Sequence, residues 1–583
     1  MIKVENLSFG FPAKDLYNDI SFTIEMGQHC ALIGSNGTGK STLVDMIIDT
    51  EKRLFDGKII KDESCRIGYA SQFNVRDKNQ ERTVFEFLSE RFFKTQEEIA
   101  LVCEEMATTE DMDAAFAKYQ ALLDLNEAMD GDNYESNIRK QLYIAGMTEL
   151  ESTQVSQISG GEYKLLQIMR EMLLSPNLLI LDEPDVFLDF ENLNRLCQLI
   201  NNYKGTLLAI THNRYLLNHC FNKILHLENA DLQEYDGSYT EYRCSILKEK
   251  LKLKLQNVEE QEEIARTQEM VDILRRRATL MVNPVIGSAV NAKQSQLDRL
   301  IARQIKPPFI EVKEPEIVMP EVDFAAQDEA EPKTVLDIED YEVPFDKSLL
   351  EKVNFEIKQG EKVAIVGANG TGKTTLISDI LKNDNPAIHI DPDTKYACLS
   401  QLQGENLDED KTVYEVMLDL GFGNKEKMAA YLDKYCLESD IVDQKIGELS
   451  GGEQNMLQIA LIANTDAEFL ILDEPTSHLD IYAQIALEKA VAEYKGTVLM
   501  VSHDFYLVAN SADYVLLVED NTVRRMRTRN FRKMVYDKYF DQKYLEIDKK
   551  KQQLERDITQ AFKKNDYVAV DKLCNQLEEL SGR

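Results

Sequence analysis

The chain has 583 residues, 43% apolar and 29% charged, too long for one compact core and apolar enough for several. A formal charge of −35 excludes a protein that coats nucleic acid with its whole surface, and nine scattered cysteines without a CxxC pair exclude a disulfide scaffold or zinc site. No run approaches the roughly 18 apolar residues that cross a bilayer, and MIKVENLSFGF carries no signal-peptide pattern, so a cytoplasmic protein with reduced thiols is expected.

The first predicted elements are an alternating apolar segment (VENLSFGF), a short apolar strand (CALIG), and a glycine-rich loop, Gly34-Ser-Asn-Gly-Thr-Gly-Lys40-Ser41, that opens a helical pattern. From Arg82 to Met147 the chain is rich in Glu, Ala, Leu and Met at helical spacing, which predicts a helical subdomain. ISGGE (Ile158–Glu162) then starts another helix, LLILDEP (Leu178–Pro184) reads as a buried strand ending in two acids, and His212 lies 29 residues beyond Glu183. Residues 241 to about 278 are charged and free of Pro and Gly. The apolar LMVNPVIGSAVNA follows, and helical pattern resumes in KQSQLDRLIARQ before Pro307 and Pro308, which predicts two antiparallel helices with a tip near 280–290.

The same landmarks then recur: VAIVG, Gly367-Ala-Asn-Gly-Thr-Gly-Lys373-Thr374, LSGGE (Leu449–Glu453), FLILDEP (Phe469–Pro475) and His503. Ser159 to Glu183 and Ser450 to Glu474 both span 24 residues, and Glu474 to His503 again spans 29. Equal offsets at chemically meaningful residues mark a duplication. Gln72 to Ser159 spans 87 residues but Gln401 to Ser450 only 49, so the first copy carries the larger helical insertion. The last 40 or so residues read as a helical hairpin breaking near Asn565. The expected fold class is α/β. Two P-loop domains, residues 1–240 and 308–545, are joined by a helical linker, 241–307, with a C-terminal helical extension at 546–583.

Both glycine-rich loops fit GxxxxGK[ST] between a strand and a helix. Gly34, Gly37 and Gly39, and likewise Gly367, Gly370 and Gly372, let backbone N–H groups turn toward phosphate oxygens at a helix start. Lys40 and Lys373 are expected to reach the β- and γ-phosphates of ATP, with Asn36, Thr42, Asn369 and Thr375 completing the loops. Ser41 and Thr374 offer hydroxyls to Mg²⁺, as do the carboxylates of Asp182 and Asp473. Glu183 and Glu474 are expected to orient or deprotonate the attacking water. A serine and two glycines at a helix start (Ser159, Gly160, Gly161; Ser450, Gly451, Gly452) form a second anion site in each copy.

ISGGE and LSGGE resemble the signature of ATP-binding cassette proteins. The resemblance implies ABC-type domains arranged head to tail, with Lys40 and Glu183 facing Ser450, and Lys373 and Glu474 facing Ser159. His212 and His503 match the switch histidine near the γ-phosphate. Gln72 and Gln401 match the Q-loop glutamine, expected on both nucleotide and metal, and Phe11 and Phe345 match the aromatic that stacks on adenine.

Cassette, charged helical linker, cassette is the order of the ABC-F family, which the whole chain resembles. IARTQEMVDILRRR and NAKQSQLDRL look like that family's linker, and EPTSHLD (Glu474–Asp480) is close to its EPTNHLD. LQEYDGSYTEY and VRRMRTRNFRKMVYDKY occupy equivalent places after the two cassettes. The resemblance implies an ATPase of the cytoplasm that binds the 70S ribosome at the E site and directs its linker at P-site tRNA and the peptidyl-transferase centre. It also implies a monomer whose own cassettes pair, with neither membrane nor DNA as partner. Arg275, Arg276, Arg277, Lys293, Arg299 and Arg303 are then the candidate RNA contacts, in a linker (241–307) whose formal charge is +4 against −39 for the remainder. The tip is longer than the family's plain form, a feature associated with members that protect ribosomes from antibiotics. Departures from the pattern are Asp185 and Phe187 in EPDVFLD, Ile158 at the signature, and Leu165 and Met456 where a basic residue is common; they suggest unequal turnover at the two sites. The competing reading is a twin-cassette ATPase that drives a separate membrane transporter.

Overall fold

The computed structural model describes residues 2–12, 14–62, 65–71, 81–107, 111–186, 188–249, 266–268, 270–271, 293–294, 312–322, 332–343, 349–399, 407–539, 550–551, 553–554, 557–558, 560–561, 564 and 566–581. Gln72, Gln401, Phe345, Arg275, Arg276, Arg277, Arg299, Arg303 and the expected tip lie outside the described residues.

In the first cassette β1 (Ile2–Phe11), β2 (Lys14–Ile24) and β4 (Asp56–Lys61) form an antiparallel sheet in the order β2-β1-β4. A second, six-stranded sheet runs β5 (Ile67–Ala70), β6 (Leu178–Asp182), β7 (Thr206–Ile210), β3 (His29–Ile33), β8 (Lys223–Glu228), β9 (Asp231–Asp236). β3, β6 and β7 are parallel neighbours, and apart from the half-buried His29 every residue in them is buried; these are the continuous apolar runs that a parallel sheet covered on both faces requires. Ile2, Phe22, Leu43, Ile47, Ile180 and Leu208 meet in the core between the sheets and the helix Lys40–Ile48. The insertion folds as helices Val84–Met106, Met112–Ala128 and Tyr134–Ile144, the first closed by a capping box in which Thr83 and Glu86 satisfy each other's backbone N–H groups.

The second cassette repeats the plan. β10 (Thr334–Val343), β11 (Leu350–Lys358) and β13 (Ile388–Ile390) form the small sheet. β14 (Tyr396–Leu399), β15 (Phe469–Asp473), β16 (Thr497–Val501), β12 (Lys362–Gly367), β17 (Tyr514–Glu519) and β18 (Thr522–Arg527) form the large one in that order. Its helical insertion is short, Val413–Asp419 and Lys425–Leu432, as the 49-residue spacing requires.

The chain divides into two compact units: Met1–Glu234 with Lys313–Phe540, and Tyr235–Val312 with Asp541–Arg583. Both cassettes belong to the first. Within the second, Cys244 shares a buried cluster with Ile558, Ala561, Val570, Cys574 and Leu577. Residues just after the first cassette therefore pack with the C-terminal helix Tyr567–Ser581. Lys293, the one expected RNA contact among the described residues, is helical and half-buried. No helix among the described residues is long and apolar enough to cross a membrane.

Ile365 is fully buried at the centre of β12, on the strand that delivers the second glycine-rich loop. Replacing it with alanine is expected to cost about 2–5 kcal/mol, read as a lower urea midpoint for the cassette unit.

Candidate functional site: two phosphate loops facing the opposite cassette

Each loop leaves the end of a buried parallel strand and turns into a helix at a residue with left-handed backbone, Gly39 (φ +94°) and Gly372 (φ +91°). A side chain is disfavoured in that conformation, and a Cβ on Gly39 would also stand 2.8 Å from the Tyr17 hydroxyl, which donates to Gly39 O. Lys40 and Lys373 are buried inside their loops. Lys40 Nζ donates to Gly34 O (2.9 Å) and Ser35 O (2.8 Å), and Lys373 Nζ to Gly367 O (2.9 Å) and Ala368 O (2.7 Å). Burial lowers the pKa of both ammonium groups, against the pull of nearby carboxylates that include Asp480 and Glu183 for Lys40 and Glu474 for Lys373.

The acids close these sites from the neighbouring strands. Asp182, at the end of β6, accepts from the Tyr69 hydroxyl (3.4 Å) and from Ser41, and burial raises its pKa. A hydroxyl beside a buried carboxylate suits Mg²⁺. Thr374 and Asp473 occupy the equivalent places in the second copy.

Glu183 and Glu474 both sit in the left-handed region, φ +44° and +48°, while their N–H groups still donate to Ile210 O and Val501 O (2.9 Å each). Such backbone strain at a non-glycine residue persists only where the surroundings impose it, and here it recurs at the equivalent residue of both copies. Desolvation raises the Glu183 carboxyl to about 7, helped by Asp185 and Asp182, and the Glu474 carboxyl to about 8, helped by Asp473. The paired histidines go the other way: burial pushes His503 down to about 3 and His212 well below its ordinary value, so both rings are neutral. His503 Nε2 is 3.6 Å from Glu474 Oε1, and its main-chain N–H donates to Glu474 Oε2 (3.3 Å). Neither ring nitrogen of His212 has a hydrogen-bond partner among the described residues. A cavity of about 480 Å³ between the cassettes is lined by Glu183 and His212 from the first and by Lys373, Thr374, Glu474 and His503 from the second. A neutral imidazole and a buried carboxylate beside a phosphate loop can hold a γ-phosphate and accept a proton from water.

The two cassettes meet through these loops. The main-chain N–H of Asn36 donates to Asp480 Oδ2 (3.2 Å) and its side-chain amide to His478 O (2.8 Å). Gly452 of the second signature packs so closely here that a Cβ would stand 2.2 Å from Asn36 Nδ2. In the reciprocal contact Asn369 N–H donates to Asp189 Oδ2 (3.1 Å). Ser159 and Ser450 start their helices through capping boxes with Glu162 and Glu453, leaving Gly160 and Gly161, and Gly451 and Gly452, in the first turn. Phe11, expected against adenine, is half exposed at the end of β1, edge-on to Phe9 and 5.6 Å below the Arg53 guanidinium. The copies differ where the sequence does: Asp185 accepts from the Thr211 hydroxyl (2.6 Å), whereas its counterpart is the buried Thr476.

Asp189 and Asp480, which close the reciprocal contacts, were not among the site residues expected from sequence, although each ends a word singled out there, EPDVFLD and EPTSHLD. Arg53 and Glu228, whose Oε2 accepts from Ser35 N–H (2.8 Å), had no such signal.

The family model described as ABC transporter matches residues 17–186 and 350–477, and the ABC-transporter extension model matches 225–319. The chain is 31% identical to the YdiF protein of Bacillus subtilis (strain 168) over 581 residues, which covers 97% of this chain and 87% of that one. It is 27% identical to the energy-dependent translational throttle protein EttA of Escherichia coli (strain K12), covering 87% and 90%, and 28% identical to ABC transporter F family member 5 of Arabidopsis thaliana, covering 89% and 75%. Among solved structures RNase-L Inhibitor superposes with a TM-score of 0.55 at 18% identity over 92% of this chain and 93% of that one, a likeness of fold.

Asp480→Ala removes the acceptor for Asn36 N–H together with the cap of the helix Ile481–Glu493. The cap alone is worth about 1 kcal/mol, visible in thermal melting, and the lost contact is expected to lower ATPase activity about tenfold. Asp480→Asn, which keeps a capping oxygen, is expected to restore the melting temperature.

Proposed function

The chain belongs to the ABC transporter family as an ABC-F type twin-cassette ATPase, and from there we propose that it acts on the ribosome and uses ATP to time its stay. Two ATP molecules are held between the cassettes, one by Lys40 and the signature of Ser450, the other by Lys373 and the signature of Ser159. The observation that carries this reading is the reciprocal contact between each phosphate loop and the opposite cassette, Asn36 to Asp480 and Asn369 to Asp189. A composite site of this kind is complete only when the cassettes are closed.

In each site the backbone N–H groups of the loop and the lysine hold the phosphates, and the Phe11 and Phe345 rings take the adenines. Ser41 with Asp182, and Thr374 with Asp473, together with Gln72 and Gln401, would hold Mg²⁺, which neutralises phosphate charge when bound. Glu183 and Glu474 orient the attacking water and accept its proton, and neutral His212 and His503 contact the γ-phosphate. Hydrolysis to ADP and phosphate removes the charge that bridges the cassettes and lets them separate.

The ribosome enters through two supports. EttA, similar over 87% of this chain, is named a translational throttle, and the extension model covers the basic stretch 241–307 of an acidic protein. Arg275, Arg276, Arg277, Lys293, Arg299 and Arg303 are the residues that would meet rRNA or P-site tRNA phosphates. Of the two forms this role can take in the cytoplasm, translation factor or drug protection, the relative's name supports the first.

Glu183→Gln with Glu474→Gln keeps ATP binding and blocks hydrolysis. Such a chain is expected to cosediment with 70S ribosomes in ATP and to be released by salt, because phosphate contacts weaken steeply as salt rises. ATP-dependent closure with no ribosome pelleting would contradict the proposal and favour a separate membrane partner. Unchanged drug sensitivity of cells that express the wild-type chain would restrict it to the translation-factor form.

A further inference from the structure

We propose that Arg214 is a one-sided latch between the two ATP sites, a positioning residue that ties the first cassette's switch loop to the second's and makes their hydrolysis interdependent. The proposal rests on the roles given above to His212, His503 and the two glutamates.

Arg214 lies two residues beyond His212, at the start of the helix Arg214–His219, and its side chain leaves its own cassette. Nη2 is 2.7 Å from Glu488 Oε2 and 3.7 Å from Asp504 Oδ2, and the guanidinium lies 4.4 Å from the centre of the Tyr506 ring. Both carboxylates belong to the second cassette. Glu488 stands on the helix Ile481–Glu493, which Asp480 caps while holding the first phosphate loop, and Asn510 donates to its other oxygen (2.8 Å). Asp504 directly follows His503, and its Oδ1 accepts from the N–H groups of Tyr506 (2.8 Å) and Leu507 (3.2 Å). One guanidinium thus joins the loop of His212 to the residue beside His503.

The contact needs the two cassettes to meet, since it joins a side chain of one to side chains of the other. The three side chains are only 10%, 17% and 15% exposed, so they are largely out of water and compensate one another there. Removing one partner leaves a buried charge uncompensated, and opening the cassettes rehydrates all three. Among the described residues the contact is also made once. Shifted by 291 residues, the offset from Glu183 to Glu474, Arg214 becomes Phe505, Glu488 becomes Cys197 and Asp504 becomes Asn213. On that side the crossing is apolar, with the Phe505 ring edge-on to Phe190 at 5.7 Å. Among the described residues the arginine crossing thus gives one site a route to the other that the equivalent positions, Phe505, Cys197 and Asn213, do not repeat.

The test is the steady-state ATPase rate of the full chain carrying Glu183→Gln or Glu474→Gln, each with and without Arg214→Met. With Arg214 present, either Gln change is expected to cut the total rate about tenfold or more, and with Arg214→Met each is expected to leave about half of the Arg214→Met rate, as independent sites would. Glu488→Gln, which leaves the arginine in place, is expected to decouple the sites in the same way, and Arg214→Lys to keep them coupled. Binding of a fluorescent ATP analogue to every variant separates lost coupling from lost folding. A merely structural arginine would lower all rates in proportion and leave the tenfold ratio intact, which would overturn the latch. So would single Gln changes that only halve the rate of an otherwise unaltered chain. A double Glu→Gln chain that hydrolyses ATP at the wild-type rate would instead overturn the assignment of the glutamates, and the latch with it.

Discussion

Asp189 and Asp480 each hold two things at once. One oxygen caps the helix that follows, Asp189 Oδ1 accepting from Asn192 N–H (3.0 Å) and Asp480 Oδ1 from Tyr482 (3.1 Å) and Ala483 (2.9 Å). The other oxygen accepts the backbone N–H of an asparagine in the opposite phosphate loop. A helix of one cassette is thereby fixed to the nucleotide loop of the other at both ends of the interface. The remaining geometry follows from that constraint. Gly452 must lack a side chain because Asn36 lies against it, and the glutamates and histidines of both copies converge, with Lys373, on one cavity.

Within that frame the chemistry depends on burial. The glutamates are held in a strained backbone conformation, and their carboxyls are destabilised as anions by desolvation and by neighbouring acids. The histidines are held neutral by the same desolvation. Groups poised this way respond strongly to charge brought beside them: phosphate oxygens favour protonation of the histidines, and a divalent cation favours ionisation of the glutamates. The two copies are not equivalent in this respect. Asp185 adds a second acid beside Glu183 that the second cassette replaces with Thr476, and Arg214 crosses the interface where its counterpart is Phe505.

Much of this is legible in the sequence. The glycine-rich loops, the acidic strand ends and the signature words need fixed residues at fixed offsets, because a phosphate loop works only between a buried strand and a helix start. The short second insertion was legible too, since 49 residues leave room for little besides two short helices. What escaped was tertiary. Asp189 and Asp480 look like ordinary helix caps until the opposite loop is seen beside them. Arg53 lies 42 residues from Phe11 in sequence and 5.6 Å from its ring in space. Cys244 and Cys574 share a core although a whole cassette separates them along the chain.

Composite sites make one demand that separate sites do not: damage to the signature of one cassette must be felt at the phosphate loop of the other. The most direct measurement is photolabelling of a Ser450→Arg chain with a photoreactive ATP analogue, followed by mapping of the label to peptides containing Lys40 or Lys373. Loss of label from the Lys40 peptide, with the Lys373 peptide still labelled, is the expected result. Loss confined to the Lys373 peptide, within the cassette that carries the change, would contradict the head-to-tail arrangement.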